Sequence, residues 1–421
     1  MRIFKFGGAS VKDANGVRNL LKVLEHEGTT STFMVVSAMG KMTNAFEKVV
    51  HSYLYEEENV KSPLNFIEEY HLKIIKELFE VDAPVFHEVH KLIDSLQAFL
   101  TQNTSKDYNY IYDQVVGYGE LLSTKIISSF LEEHAVSNEW LDIRTVVKTD
   151  SNYRNATVDW EETKINSEKL DLNKLYITQG FISRDKKNNT TTLGREGSDY
   201  TAGILAYCLA AESVTIWKDV DGVLNADPRV FDETVLLKNI SYQEGIEMAF
   251  YGASVIHPKT IKPLENKRIP LYVRSFENLD NLGTKVSKGI DLHPKVPCFI
   301  VKKNQILVSI STNDFSFMLE DNISEIFKLL HDFKLRVNLI QNSAISFSVC
   351  LEDGYQNFSM FYKKLHPNFK VKYNTNVTLF TVRHFDEDSI KDIQNKGDVL
   401  LQQTSRETVQ LAITERNNYD N

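Results

Sequence analysis

The chain opens on a buried-strand pattern. Arg2–Phe6 (R-I-F-K-F) reads as a short strand, and Gly7-Gly8 ends it. Apolar residues then recur at helical spacing, Val17, Leu20, Leu21 and Leu24, and Asp13 stands where a helix cap belongs. Thr32–Ser37 (T-F-M-V-V-S) is a second buried strand, so strand, loop, helix and strand make a βαβ unit and predict a parallel sheet. From Asn44 to Glu133 the pattern is mainly helical. Strand patterns return at Trp140–Ile143, Leu175–Thr178, Val214–Trp217 and Pro270–Val273, each followed by loop or helix. This alternation predicts a doubly wound α/β domain ending near His293-Pro294, with Pro294 and Pro297 punctuating a junction.

The remainder changes character. Strands are predicted at Ile306–Ser311, Val337–Ile340 and Ser346–Leu351, with a helix over Ile323–Phe333. Val377–Val382, Val399–Gln402 and Thr408–Ile413 follow as strands, and a short segment follows Asp386. Such density, without glycine-rich loops, predicts two small α+β units of ferredoxin-like type, the second with a shortened or missing helix. The tail Asn417–Asn421 is expected to fray.

Composition narrows the class. With 421 residues, 42% hydrophobic and 25% charged, the chain is globular and long enough for two or more domains. A net charge of -9 argues against nucleic acid or an anionic membrane as the main partner. Cys208, Cys298 and Cys350 are far apart and form no CxxC pair, so a reducing, cytoplasmic setting is expected rather than a disulfide or zinc framework. No signal-peptide pattern opens the chain, and no apolar run reaches the ~18 residues of a membrane span.

Five stretches carry candidate chemistry. In K-F-G-G, Lys5 and the amides after the strand suit an anion, although a tight turn with a snorkelling lysine would look alike. In T-T-L-G-R-E-G-S-D, Ser198 or Asp199 can cap a helix beginning at Tyr200, but capping leaves Arg195 unexplained; an arginine there suits a carboxylate. W-K-D-V-D-G-V-L-N-A-D-P-R, residues 217–229, lies at a strand's carboxyl end, where α/β folds bind ligands. It is no EF-hand, because Val223 and Leu224 fall at the fifth and sixth positions from Asp219. In G-Y-G-E-L-L-S-T, Glu120 starts a helix and suits a ligand ammonium if it faces the cleft. S-A-M-G-K-M-T-N supplies small and hydroxyl residues after the second strand. His257, before Pro258, reads as a satisfied structural histidine.

Taken in their order along the chain, from K-F-G-G through S-A-M-G-K-M-T-N, G-E-L-L-S-T and T-T-L-G-R-E-G-S-D to W-K-D-V-D-G-V-L-N-A-D-P-R, and joined by Y-G-A-S-V-I-H-P at residues 251–258, these stretches resemble the aspartate kinases. The resemblance covers the chain. It implies a three-layer αβα amino-acid-kinase domain over residues 1–295, followed over 298–421 by a pair of ACT units. The first ACT unit is expected over about 305–365. The second is expected over about 370–415, plus a strand near 298–303. The implied reaction is MgATP-dependent phosphorylation of L-aspartate to 4-phospho-L-aspartate, the first step towards lysine, threonine and methionine, in a homodimer or larger homo-oligomer. The implied roles are Lys5 and Asp199 as catalytic residues, and Ala38, Thr43, Glu120, Arg195 and Ser198 as the aspartate pocket. Lys5, Gly7, Gly8, Ser10, Lys218, Asp219, Gly222, Asp227 and Arg229 would hold the nucleotide, with magnesium held by phosphates and water rather than a dedicated ligand cluster.

Departures from that family mark where this chain is its own. Glu196 stands where glycine is frequent, Ser254 where many members carry a nucleotide-reaching lysine, and Leu224 where an aromatic is frequent. Asp321-Asn322 replaces a glycine-phenylalanine turn, and Asn338 and Ala344 replace acidic residues of lysine-sensitive members. Weak or absent lysine inhibition is the resulting expectation, because a buried ammonium without a carboxylate is poorly compensated. No GxGxxG follows the second unit, so a fused homoserine dehydrogenase is not expected. The competing readings are an amino-acid kinase for glutamate or a nucleotide, and a non-catalytic amino-acid sensor.

Overall fold

A computed structural model of the chain describes residues 1–56, 59–253, 256–314 and 316–415. Ser254 and the tail Asn417–Asn421, both singled out above, lie outside the described residues. The chain forms two compact units. The first comprises Met1–Val223, Leu236–Ile246 and Val255–Leu292; the second comprises Leu224–Val235, Glu247–Ser254 and His293–Asn421.

In the first unit, β1 (Arg2–Phe6), α1 (Ala14–Glu27) and β2 (Thr32–Val36) form the expected βαβ element, with the Asp13 carboxylate accepting from Gly16 N at the helix start. Five helices follow: α2 (Met42–Tyr55), α3 (Lys61–Leu78), α4 (Pro84–Gln102), α5 (Tyr108–Val116) and α6 (Tyr118–Glu133). Then come β3 (Glu139–Leu141), α7 (Trp160–Ser167), β4 (Tyr176–Gln179) and a hairpin of β5 (Ile182–Arg184) with β6 (Thr190–Thr192). After these come α8 (Gly197–Cys208), β7 (Ser213–Lys218), β8 (Asn239–Ser241), α9 (Tyr242–Tyr251, which from Glu247 onward counts with the second unit), α10 (Pro258–Lys267), β9 (Leu271–Ser275) and β10 (Thr284–Ser287). The main sheet runs β3-β4-β2-β1-β7-β9-β10-β8, parallel throughout except for the β9–β10 pair. Strand β3 stops before the predicted Ile143, because the Asp142 carboxylate takes Arg144 N and turns the chain into a 3-10 helix.

The core explains the aromatic runs. Phe4, Phe6 and Trp217 pack with apolar residues of α1 to α6. Trp217 stacks on Phe6 at 6.2 Å and meets Phe4 edge-on at 5.8 Å. Alternation along β1 then sends Lys5 to the opposite face from Phe4 and Phe6.

In the second unit, β11 (Cys298–Thr312), α11 (Glu320–Asp332), β12 (Arg336–Asn342), β13 (Ser346–Glu352), α12 (Phe358–Leu365), β14 (Phe369–Arg383), α13 (Glu387–Gln394), β15 (Asp398–Thr404) and β16 (Thr408–Thr414) build one antiparallel sheet, ordered β12-β13-β11-β14-β16-β15. The two central strands, each of 15 residues, pair along their length with register shifts around Gln305. Each serves both halves of the sheet, and Cys298–Lys302 pairs with Leu379–Arg383. The half containing β12 and β13 has two helices. The half containing β15 and β16 has α13, eight residues long and capped by Asp386, so its helix is shortened but present.

Candidate active site

Parallel pairing brings several loops to one sheet edge. Phe6 lies level with Val36 and Trp217, and Val36 with Gln179. The segments beginning at Gly7, Ser37, Gly180 and Lys218 therefore all leave the carboxyl edge, the ligand-binding edge of such sheets.

Lys5 points to the face covered by α8, where its ammonium lies 2.6 Å from Asp199 Oδ1. Both residues are nearly buried, at 8% and 5% exposure. Asp199 sits in the first turn of α8, which starts at Gly197 and not at the predicted Tyr200. Neither Ser198 nor Asp199 is the cap. Glu196 holds that position, left-handed at φ 54° and without a side-chain bond to the helix end. The early start is a packing result: a Cβ on Gly197 would lie 2.5 Å from Phe181 Cδ2, and one on Gly180 would lie 2.4 Å from Ser198 Cβ. Two glycines thus press the segment after β4 onto the helix start. The first-turn N–H groups and the positive end of the helix are left for a ligand.

An open cleft of about 510 Å³ forms here. It is lined by seven of the predicted residues, Lys5, Thr43, Glu120, Arg195, Ser198, Asp199 and Lys218. Glu120, in the first turn of α6, is 2% exposed. Its Oε1 accepts from Ala38 N at 3.4 Å, while Oε2 has no hydrogen-bond partner among the described residues. Burial pushes its carboxyl up to about 8, against the opposing pull of the Ala38 N–H. A buried carboxyl with a spare oxygen, opposite cations, is suited to an incoming ammonium.

Other predicted residues fall elsewhere. Ala38 contributes its backbone N–H to Glu120. Gly7 is the cap of a 3-10 turn, Gly8–Val11. Gly8 is needed for packing, since a Cβ there would lie 2.6 Å from Gly40 O and 2.7 Å from Ala38 O. Ser10 Oγ donates to Trp217 O at 3.3 Å and is buried. Asp219 is exposed, and Gly222 packs against Thr284 at φ 149°. Asp227 and Arg229 belong to the second compact unit, where they pair with each other at 2.7 Å. His257 caps α10, its Nδ1 accepting from Lys259 N at 3.1 Å, and burial lowers its pKa.

The cleft also holds Ser37 and Gly194, which fall inside two of the quoted stretches, and Tyr112, Arg154 and Phe181, which fall in none of them. Phe181 had a signal: Gln179-Gly180 is a strand end followed by glycine, like Phe6-Gly7. Tyr112 and Arg154 had none, being brought in by a helix and a loop far away in sequence.

Residues 1–275 match the model of the amino acid kinase family. Lysine-sensitive aspartokinase 3 of Escherichia coli is 30% identical over 356 residues, 83% of this chain and 78% of that protein. The chain belongs to the aspartokinases of the amino acid kinase family. A chloroplastic bifunctional aspartokinase/homoserine dehydrogenase of Arabidopsis thaliana is 31% identical over 365 residues, 83% of this chain but 39% of its own length. The chain spans less than half the length of such bifunctional relatives. Among solved structures, E. coli aspartokinase III with lysine and aspartate is similar at a TM-score of 0.81 and 25% identity, covering 98% of this chain and 96% of that one. Its complex with aspartate and ADP is similar at 0.79 and 26%, with the same coverage.

Proposed function

We propose that the chain is an aspartate kinase, transferring the γ-phosphoryl group of ATP to the side-chain carboxylate of L-aspartate and releasing ADP and 4-phospho-L-aspartate. The observation that carries this reading is the Lys5–Asp199 pair, 2.6 Å apart, in a cleft shared with Arg195 and buried Glu120. The similar E. coli enzyme with aspartate and ADP bound supports it. A carboxylate oxygen attacks the γ-phosphorus and the bond to the β-phosphate oxygen breaks. The attacking carboxylate, with a pKa of about 3.9, is ionised at neutral pH and needs no base. The protein's task is position and charge. Lys5 meets charge developing on the transferring group, and Asp199 aims the ammonium. Arg195 holds the other carboxylate, Glu120 the α-ammonium, and Thr43 and Ser198 complete the pocket. Lys218, with the loop through Asp219 and Gly222, would take the nucleotide, as would the amides of Gly7 and Gly8.

Among the described residues no three His, Cys, Asp or Glu side chains form a metal-binding group. A magnesium ion carried on the nucleotide's phosphates and water would neutralise phosphate charge there. The test is ADP release from MgATP with L-aspartate, trapping the acyl phosphate with hydroxylamine. Aspartate-dependent hydroxamate is expected. Its absence with every amino acid would leave the sensor reading, and its appearance only with another acceptor would mean a different kinase.

The same reading makes the product a precursor of lysine, threonine and methionine, and the enzyme a cytoplasmic homo-oligomer whose second unit is an ACT pair. No helix among the described residues is long and apolar enough to cross a membrane. Lysine inhibition through Asn338 is expected to be weak. The Asn338 amide is already engaged, its Oδ1 accepting from Lys302 Nζ and its Nδ2 donating to Gln305 Oε1, both at 2.7 Å. Half-inhibition of the kinase by micromolar lysine would contradict this.

A further inference from the structure

We infer that Arg154 is a second carboxylate-binding arginine of the cleft, set in place by the buried carboxylate of Asp113, and that it grips the substrate carboxylate that is not phosphorylated. The inference rests on the aspartate kinase reading and adds a specificity residue and a positioning residue to it.

Arg154 stands in the loop between β3 and α7, at φ 68°. A left-handed arginine costs energy and persists only where its surroundings impose it. Asp113 imposes it: both of its carboxylate oxygens accept from Arg154 N, at 3.1 and 3.0 Å. The same carboxylate accepts from Thr192 N at 2.9 Å and from Thr192 Oγ1 at 2.7 Å. One wholly buried side chain on α5 therefore fixes the Arg154 backbone and the end of β6, three residues before Arg195. The two segments also touch directly, since a Cβ on Gly194 would lie 3.2 Å from Arg154 O. Burial pushes the Asp113 carboxyl up to about 6 in spite of these hydrogen bonds. The carboxylate that bears this desolvation is the shared acceptor of Arg154 N, Thr192 N and Thr192 Oγ1, so it ties these two segments together.

The aligned group is a guanidinium at the cleft. It lies 4.4 Å from the centre of the Tyr112 ring and 5.3 Å from that of Tyr108. Its NH2 is 3.9 Å from Glu47 Oε1. None of its side-chain N–H donors makes a hydrogen bond among the described residues. Two tyrosine rings thus orient a planar fork that retains its capacity for a carboxylate. Aspartate brings two carboxylates into a cleft whose wall already carries Glu120, Glu196 and Asp199. Arg195, the other arginine lining the cleft, is carried by the loop that approaches the Arg154 backbone, so the two arginines line the cleft from adjoining segments.

The test compares the parent with Arg154→Gln and Arg154→Lys, using L-aspartate, its α-amide and ATP as varied substrates. Arg154→Gln is expected to raise KM for aspartate about tenfold or more while KM for ATP stays within about twofold. Discrimination against the α-amide should fall by a similar factor, and Arg154→Lys should lie between. Asp113→Asn, which sets an NH2 against the Arg154 N–H, should move KM the same way. Combined with Arg154→Gln it should add little. If Asp113→Asn does not fold, the Arg154 series still decides. An unchanged KM for aspartate, an equal rise for ATP or intact discrimination against the α-amide overturns the inference and leaves the kinase reading standing. A folded parent that makes no hydroxamate from aspartate removes both.

Discussion

Each compact unit holds a lysine drawn out of water, and the two are satisfied in different ways. In the first unit Lys5 meets a carboxylate at 2.6 Å beside an open cleft. In the second, Lys302 donates at 2.7 Å to a neutral amide, Asn338, which passes the bond on to Gln305. Burial above all, helped by Arg336, lowers the Lys302 pKa, and Glu352 only partly opposes this. The Lys302 ammonium is therefore held by an amide relay, with Glu352 acting on it only at a distance, and not by a directly paired carboxylate. Where the chain instead spends a buried ion pair, with a second buried carboxyl and further cations nearby, the arrangement is costly as structure and makes sense for a charged ligand.

Substitution at each lysine is the strongest way to break that contrast. Lys5→Met should lower kcat by at least about 1,000-fold, the scale of losing a group that stabilises developing charge. It should also destabilise the fold by about 3 kcal/mol, because Asp199 is left buried and unpaired. Adding Asp199→Asn should recover much of that stability and none of the activity, measured by denaturant unfolding beside the hydroxamate assay. Lys302→Met should leave kcat within about twofold. Equal loss at both lysines would erase the distinction.

Backbone packing sharpens the comparison at smaller scale. Gly180→Ala places a Cβ 2.4 Å from Ser198 Cβ and must displace the start of α8. A stability loss of about 1–3 kcal/mol is expected, with a fall in kcat/KM of about tenfold to a hundredfold as the cleft shifts. Gly354→Ala in the second unit meets nothing within 4 Å and has no positive φ, so activity and stability should stay at parent values. An active, stable Gly180→Ala would mean that close packing of the 180–181 segment does not set the helix start.

What the sequence made legible follows from range. Strand β1, the Asp13-capped helix and the alternating strands of the second unit were readable because period and caps are local signals. The candidate residues converging from Lys5, Glu120, Arg195 and Asp199 were readable because each sits by a glycine or a helix start. The start of α8 was misplaced because Gly197 is accommodated by Phe181, sixteen positions earlier, and no local rule reports that contact. Arg154 was illegible for the same reason, held by Asp113 at a separation of 41 residues. Gly8 shows the converse: its motif was visible, yet its missing Cβ makes room for Gly40 and Ala38.

The gentlest probe is pH, through Glu120. Its carboxyl is raised from 4.5 to about 8 by burial, so in the free protein at pH 7 it is mostly protonated. The raised value means its contribution to folding is fully present below the unfolded pKa of 4.5 and is lost as pH rises through about 8. Ligand binding has the opposite sign, since an α-ammonium favours the ionised form. Aspartate should bind more tightly as pH rises from about 6.5 towards 8, by about tenfold per unit at most, with nearly one proton released per aspartate at pH 7. Calorimetry in two buffers of different ionisation enthalpy reads that proton directly. Glu120→Gln should abolish the release and flatten the profile, at the cost of weaker binding throughout. Proton release that persists in Glu120→Gln would assign the ionisation to another group and leave the spare Oε2 without a ligand.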